Sequence, residues 1–317
     1  MAATHGLNGF SFAKLNKLDH GQLQGAADPR MYYRVLGAHD YTLPHLAHPV
    51  FMQLVSARHQ IKGAPINIVD LGCGYGVNGA LMKYPITWDM LCARYHIADA
   101  ENLTPQQLED YDRHYFQSWP KRRHLRVVGL DPSGAAVRYA ERIGAIDRGF
   151  AVDLEIQEPT AEIGVLLESA DMIISTGIAP VTERSFARIA RNTQAGLRAP
   201  WVASFVSRIH SYDAVTRFLA GQGLETERFE GATFVQRRFS DRDEMESVLD
   251  LLRAAGVGAT GKEDHGLLHA ELFVSRPAAA VESCPINRLI SVASGVNRFA
   301  SSQLMTSRQT GGQLSAA

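Results

Sequence analysis

Asp70-x-Gly72-x-Gly74-x-Gly76 is the stretch of this chain best equipped for chemistry, with one carboxylate and three glycines directly after the apolar run Ile66-Asn-Ile-Val69. Glycines allow positive φ and leave the main chain bare, so a ligand can lie against backbone N–H groups. A dinucleotide fingerprint needs its third glycine at position 77, which is Val here, so the usual NAD pattern is broken. Two more acids stand near the ends of apolar runs, Asp131 closing Leu125-Arg-Val-Val-Gly-Leu and Asp153 within Phe150–Leu154. Ser175-Thr176 ends a third such run, Ala170-Asp-Met-Ile-Ile. No arrangement of residues stands out as a general base. Tyr32, Tyr33, His39 and Tyr41 upstream, and Ser207, Arg208 and His210 downstream, are the side chains that could approach a substrate. His39, His45 and His48 have no neighbouring Cys or HExxH-like pairing, and no metal is expected.

These groups need elements to hold them. An apolar run turning into glycines reads as a buried strand feeding a helix, here Val77–Tyr84, stopped by Pro85. A helix over Pro49–Gln60 leads into that strand. In a minimal βαβ unit the acidic end of the second strand falls about 20 residues past the glycine loop; Asp131 lies much farther on. Residues 85–123 are therefore read as a helical insertion. Within it Thr104 as N-cap, Pro105 at the first position and Gln107 at the third mark a helix start, with Leu108, Tyr111, Asp112 and Tyr115 at helical spacing. Lys121-Arg-Arg-His124 reads as a solvated lead-in to the next strand. Further strands are expected at Phe150–Leu154, Ala170–Thr176, Trp201–Val206, Ala232–Phe239 and Leu267–Ser275. The helices between them include one begun by Thr182, one at 212–220, and one with Met245, Val248, Leu249 and Leu252 on an apolar stripe. The expected fold is α/β: a doubly wound, mostly parallel seven-stranded sheet. Residues 1–60 would form an N-terminal arm and lid helices, 61–277 the ligand-binding domain, and 278–317 a disordered tail.

Composition bounds the function. The 317 residues are 45% apolar and 21% charged with net charge −1, which gives no sign of bulk attraction to nucleic acid or an anionic membrane. Cys73, Cys92 and Cys284 are odd in number and widely spaced, which argues against a disulfide framework and for a reducing cytoplasm. No leader-like or membrane-spanning run is present, so a soluble cytoplasmic protein with a small-molecule substrate is expected.

The spacing Asp70-x-Gly72-x-Gly74-x-Gly76 resembles motif I of the class I S-adenosylmethionine (SAM)-dependent methyltransferases. The resemblance implies SAM as cofactor and a reversed last strand in the sheet. It also implies that Gly72, Gly74 and Gly76 lie against the methionyl and ribose portions, and that Asp70 orients the loop or binds the amino-acid head. Asp131 would accept the ribose hydroxyls, Asp153 would bond the adenine amino group with Leu154 against the ring, and Ser175 and Thr176 would lie near the transferred methyl. Members that methylate nucleobase or glutamine amino groups carry Asn-Pro-Pro-Tyr after the fourth strand. Ser175-Thr176-Gly177 stands there instead, which argues against those acceptors. The expected function is methyl transfer to a small molecule or natural-product intermediate. Two alternatives stay open. One is intramolecular cyclisation of SAM with release of methylthioadenosine, similar to azetidine-carboxylate synthases, in which Tyr32, Tyr33 and Tyr111 would bend the head group and stabilise the sulfonium. The other is a non-catalytic SAM-binding regulatory module.

Overall fold

Period-two alternation of apolar residues splits each central strand between two cores. Ile66, Ile68, Met172, Ile174, Ala203 and Phe205 face one core, and Val69, Leu71, Ile173 and Val202 face the other. The structure is a computed structural model that describes residues 25–96, 98–176 and 181–292. Five parallel strands form the centre: β1 (Ile66–Leu71), β2 (Leu125–Asp131), β3 (Arg148–Ala151), β4 (Met172–Ser175) and β5 (Trp201–Ser207). Three more follow, β6 (Leu224–Arg228), β7 (Phe234–Arg238) and β8 (Leu267–Pro277). The order is β3-β2-β1-β4-β5-β8-β6, with β8 antiparallel to β5 and β6 and with β7 paired to the start of β8. The order reverses between β1 and β4, and in open α/β sheets the crevice beyond the carboxyl ends at that point receives the ligand.

Helices α1 (Arg30–Ala38) and α2 (Leu43–Lys62) precede β1, and α3 (Val77–Lys83) follows it. The segment before β2 is helical, as expected, with α4 (Trp88–Arg94), a helical turn Ala98–Glu101, and α5 (Pro105–Gln117). The Thr104 hydroxyl accepts from Gln107 N while the Gln107 side chain accepts from Thr104 N, a complete capping box. Then come α6 (Gly134–Ile143), α7 (Ala161–Glu168), α8 (Glu183–Ala190, capped by Thr182), α9 (Asp213–Gly221) and α10 (Arg242–Ala254). α2, α3 and α6 cover the first face, and α7, α8 and α9 the second.

Several expectations are corrected. Among the described residues the sheet has eight strands, one more than expected: Leu-Glu-Thr-Glu-Arg at β6 carries too little apolar character to read as a strand, yet it pairs with β8 along its whole length. The expected strand at 232–239 is the short, bulged β7. α2 starts at Leu43, ahead of Pro49. A proline there removes one intrahelical bond, which burial of Ala47, Val50, Phe51, Leu54 and Val55 outweighs. The Lys121–His124 lead-in is not simply solvated: half-buried Arg122 donates to Met82 O (2.7 Å) and Tyr84 O (3.2 Å), closing the end of α3. Part of the expected tail is ordered as α11 (Ala278–Ser283) and α12 (Ile286–Leu289), which bury Val281, Ile286 and Ile290. The rest of the tail and most of the N-terminal arm, residues 293–317 and 1–24, lie outside the described residues.

Candidate functional site

The loop leaving β1 is tied to β2 by backbone bonds from Gly72 N to Leu130 O (2.8 Å) and from Gly74 N to Asp131 Oδ2 (2.9 Å). Gly72 has φ +73°, and a Cβ there would meet nothing within 4 Å, so this glycine borders open space. Gly76, at φ +77°, differs. A Cβ there would come within 2.9 Å of Ala140 Cβ and 3.1 Å of Ala145 Cβ, so it is glycine to let the loop pack on α6 rather than to make room for a ligand. Sequence reasoning missed a similar demand in β2, where a side chain at Gly129 would stand 2.5 Å from Cys73 Sγ.

Asp70 is fully buried at the end of β1. Its Oδ1 accepts from Asn78 Nδ2 (3.1 Å), and the same amide donates to Thr176 Oγ1 (2.9 Å), joining the ends of β1 and β4. Its Oδ2 meets no partner among the described residues. Burial pushes the Asp70 carboxyl up to about 7, opposed by the Asn78 bond and reinforced by nearby Asp131. Asp131, 2% exposed, accepts from Ser133 N at Oδ1 (2.8 Å) and from Gly74 N at Oδ2. Burial raises its pKa, the two N–H bonds oppose the rise, and Asp153 adds to it. Each Asp131 oxygen keeps a second lone pair.

The other expected cofactor residues are placed less tightly. Half-buried Asp153 accepts from Glu155 N (2.9 Å), while Leu154 is buried in the second core. Ser175 is buried, and strand alternation puts it on the face opposite Thr176.

A tyrosine-rich roof closes the crevice. On α1, Tyr32 and Tyr33 are buried with ring centroids 5.3 Å apart. Tyr32 packs edge-on to Tyr75 (5.5 Å), and Tyr33 stacks on Tyr95 (4.4 Å) in the insertion. Burial, then Tyr41, Tyr33 and Asp131, hold the Tyr32 hydroxyl well above its ordinary value. The Tyr75 hydroxyl donates to Ala26 O (2.9 Å) and Asp28 O (3.2 Å), drawing the chain ahead of α1 onto the loop. Arg30 Nη1 donates to Ala100 O, Glu101 O and Leu103 O at 2.9–3.1 Å, latching α1 to the insertion. Buried Asp112 accepts from Tyr95 Oη (2.6 Å), Tyr139 Oη (2.6 Å) and Arg94 Nε (2.7 Å), fixing α5 against α4 and α6. Tyr111 is not brought to this cluster. α5 turns Leu108, Asp112 and Phe116 inward, leaving Tyr111 38% exposed beneath the Arg94 guanidinium, 3.9 Å from its ring centroid.

Among the downstream candidates, Arg208 is held by Glu263 (2.5 Å) and Gly258 O (2.6 Å), and burial lowers the His210 pKa. Ser207 Oγ is buried with no partner among the described residues. Three residues that hold or roof the site, Asn78, Tyr75 and Asp112, were not singled out as functional from the sequence. Only the topology brings Asn78 to Thr176 or Tyr75 to Asp28.

The crevice thus offers a buried acid with a spare oxygen, a bare glycine backbone and a second acid able to accept two more hydrogen bonds. That set suits a ligand carrying both a cation and a diol. No protein-family model and no curated protein matches the sequence. Solved structures similar to this chain include the plantazolicin methyltransferase BpumL in complex with S-adenosylhomocysteine (SAH), at 12% identity over 84% of this chain and 98% of that one, TM-score 0.38. Others are a TehB-like SAM-dependent methyltransferase from Corynebacterium glutamicum (17% identity, 69% and 86% covered, TM-score 0.34) and the magnesium protoporphyrin IX methyltransferase ChlM of Synechocystis PCC 6803 (12% identity, 72% and 82% covered, TM-score 0.33). The fold is read from the strand order itself. The strand order, with antiparallel β8 inserted between β5 and β6, and the glycine loop of β1 facing an acid at the end of β2 give a doubly wound α/β sheet with the reversed last strand that the motif I resemblance implies.

Proposed function

We propose that the chain binds SAM in the crevice between β1 and β4 and transfers its methyl group to a small acceptor. The observation that carries this reading is the fully buried Asp70 oxygen left without a partner among the described residues, two positions before Gly72, which borders open space. A buried carboxylate oxygen with no donor is costly, and the cationic head of SAM supplies one. When bound, SAM supplies an activated methyl group on a positively charged sulfur. The protein's part is binding, orientation and exclusion of water. Asp131 takes the ribose hydroxyls on its remaining lone pairs while its existing bonds hold the loop in shape. Asn78 fixes Asp70 and Thr176 relative to each other, setting the floor on which the reacting atoms lie. The tyrosine roof shuts out solvent and presents ring faces able to favour a cation.

The sealed aromatic roof also favours a second reading, attack by the amino group of SAM on its own γ carbon with loss of methylthioadenosine. Incubation with SAM alone, followed by mass spectrometry, separates the two. Methyl transfer leaves SAM nearly unchanged until an acceptor is added, when SAH accumulates. Enzyme-dependent methylthioadenosine without an acceptor would establish the cyclase. Calorimetric titration checks the shared premise: SAM and SAH bind and NAD does not, and a response to NAD alone overturns both readings.

A further inference from the structure

Several polar side-chain atoms beyond the β1–β4 crevice are buried without partners among the described residues, and those of Gln236 and Ser207 lie on strands that pair with the same residue of β8 or next to it. Gln236 is 1% exposed, and neither its Nε2 nor its Oε1 meets a hydrogen-bonding group among the described residues. Ser207, 5% exposed at the end of β5, has an unpartnered Oγ. Buried side-chain amides almost always find partners, so one missing both points to something supplied from outside.

The strand registers put these groups on one side of the sheet. Ser207 and Phe234 both lie opposite Ala270, from its two flanks, so the three share a face with Phe205 and Ala203. Asp70 and Thr176 belong to the same face by strand alternation, farther along the carboxyl edge. The β7 bulge between Val235 and Arg237 inserts Gln236 just past Phe234; bulges commonly re-aim a side chain in this way. Phe234 packs edge-on to Phe205 (4.8 Å) and lies 6.4 Å from Phe229, giving an apolar wall.

The chain after α1 roofs this end too. Thr42 N donates to Gln236 O (2.9 Å), Thr42 Oγ1 to Val235 O (3.2 Å), and Arg238 N to His39 O (2.7 Å). Tyr41, 4% exposed and edge-on to Trp88 (5.6 Å), is thereby held beside the bulge next to Thr42. Burial and Asp70 raise the pKa of the Tyr41 hydroxyl, and Arg237 lowers it. The neighbouring guanidinium groups are already engaged: Arg237 forms a two-pronged pair with Glu244 (2.6 and 3.1 Å) and Arg208 pairs with Glu263.

We propose that Gln236, with Ser207 and Tyr41, forms the acceptor subsite and takes a neutral carboxamide borne on an aromatic or apolar body. An amide presents one donor and one acceptor in a plane, the complement of another amide's edge. The phenylalanine wall takes the apolar body, and with Arg237 paired to Glu244 an anion gains no counter-charge there. This rests on the methyl-transfer reading, which supplies the neighbouring cofactor.

The test uses the full chain saturated with SAH, with benzamide and benzoate as probes and ligand-observed NMR as readout. Benzamide should bind, and benzoate at least about tenfold more weakly. Gln236→Met should weaken benzamide at least about tenfold, the factor expected from losing two hydrogen bonds, while leaving SAH affinity unchanged. It should also raise the melting temperature of the ligand-free protein, because an unmatched buried amide is removed. Absence of benzamide binding, equal binding of benzoate, an unchanged Gln236→Met affinity or a lowered melting temperature each overturns the subsite. If Gln236→Met does not fold, Ser207→Ala is read the same way, and unchanged benzamide binding there overturns it. SAH titration of the same samples reports separately on the cofactor reading.

Discussion

At the residue scale, the motif glycines Gly72 and Gly76 do different work although they look equivalent in the sequence. Ala at Gly72 has room for its Cβ and bears only the strain of positive φ, about 1–2 kcal/mol. Ala at Gly76 bears that strain and also collides with α6. Gly72→Ala should therefore fold with a small loss of stability and lose SAH affinity. Gly76→Ala should lose more stability, about 2–4 kcal/mol, yet bind SAH once folded. Urea melts and calorimetry on both variants check the pair; equal losses of stability would contradict the packing role of Gly76. Asp70 makes a pH prediction. Its folded carboxyl titrates at about 7 rather than the ordinary 3.8, so the folded state holds the proton more tightly than the unfolded chain. The associated stability is present below about pH 4 and is lost as pH rises towards 7, by up to about 4 kcal/mol. Asp70→Asn should abolish this decline, seen as a flatter stability curve between pH 4 and 7. SAH affinity of the natural protein should rise over pH 6–8 as Asp70 ionises. Parallel curves for the two proteins would show Asp70 ionised throughout.

At the scale of elements, the roof is a latch between two segments distant in sequence. Arg30 on α1 holds three carbonyls at the turn between α4 and α5, and paired Asp28 steadies its guanidinium. Arg30→Ala removes those charge-assisted bonds at a cost of about 1.5–3 kcal/mol in closure. The expected result is SAH dissociation accelerated about tenfold or more in stopped-flow measurements, with the sheet's melting transition little changed. An unchanged dissociation rate would mean that α1 does not gate the crevice. The start of α5 was legible because its capping box is local, Thr104 and Gln107 being three residues apart. The partners of Tyr111 were not, because helical spacing says which residues share a face but not which neighbour that face meets. Asp112, one residue on, turns into the core to meet Tyr95 and Tyr139.

At the scale of the whole molecule, the far edge of the sheet depends on the segment after β8. Ile286 and Ile290 are each 3% exposed, Ile286 N donates to Glu227 Oε1 (2.8 Å), and Arg276 joins Glu227 (2.5 Å) to Cys284 O (2.9 Å). Removing residues 278–317 should cost several kcal/mol, at about 1.5–3 kcal/mol for each large apolar side chain exposed, and a urea midpoint measures it. An unchanged midpoint would show that the segment contributes nothing. The sequence by itself determined β1, its glycine loop, the acid ending β2 and the strand–helix alternation. Each of these is written in contiguous residues whose periodicity and turn chemistry act over a few positions. The tertiary structure alone decided that β6 is a strand, since its polar pentapeptide is held by pairing with β8. It alone joined Asn78 to Asp70 and Thr176, and it alone left Gln236 buried at a bulge under the 39–42 segment. Those outcomes depend on which strand lies beside which and on the twist and register of the sheet. Such contacts join residues up to about two hundred positions apart, and no local pattern encodes them.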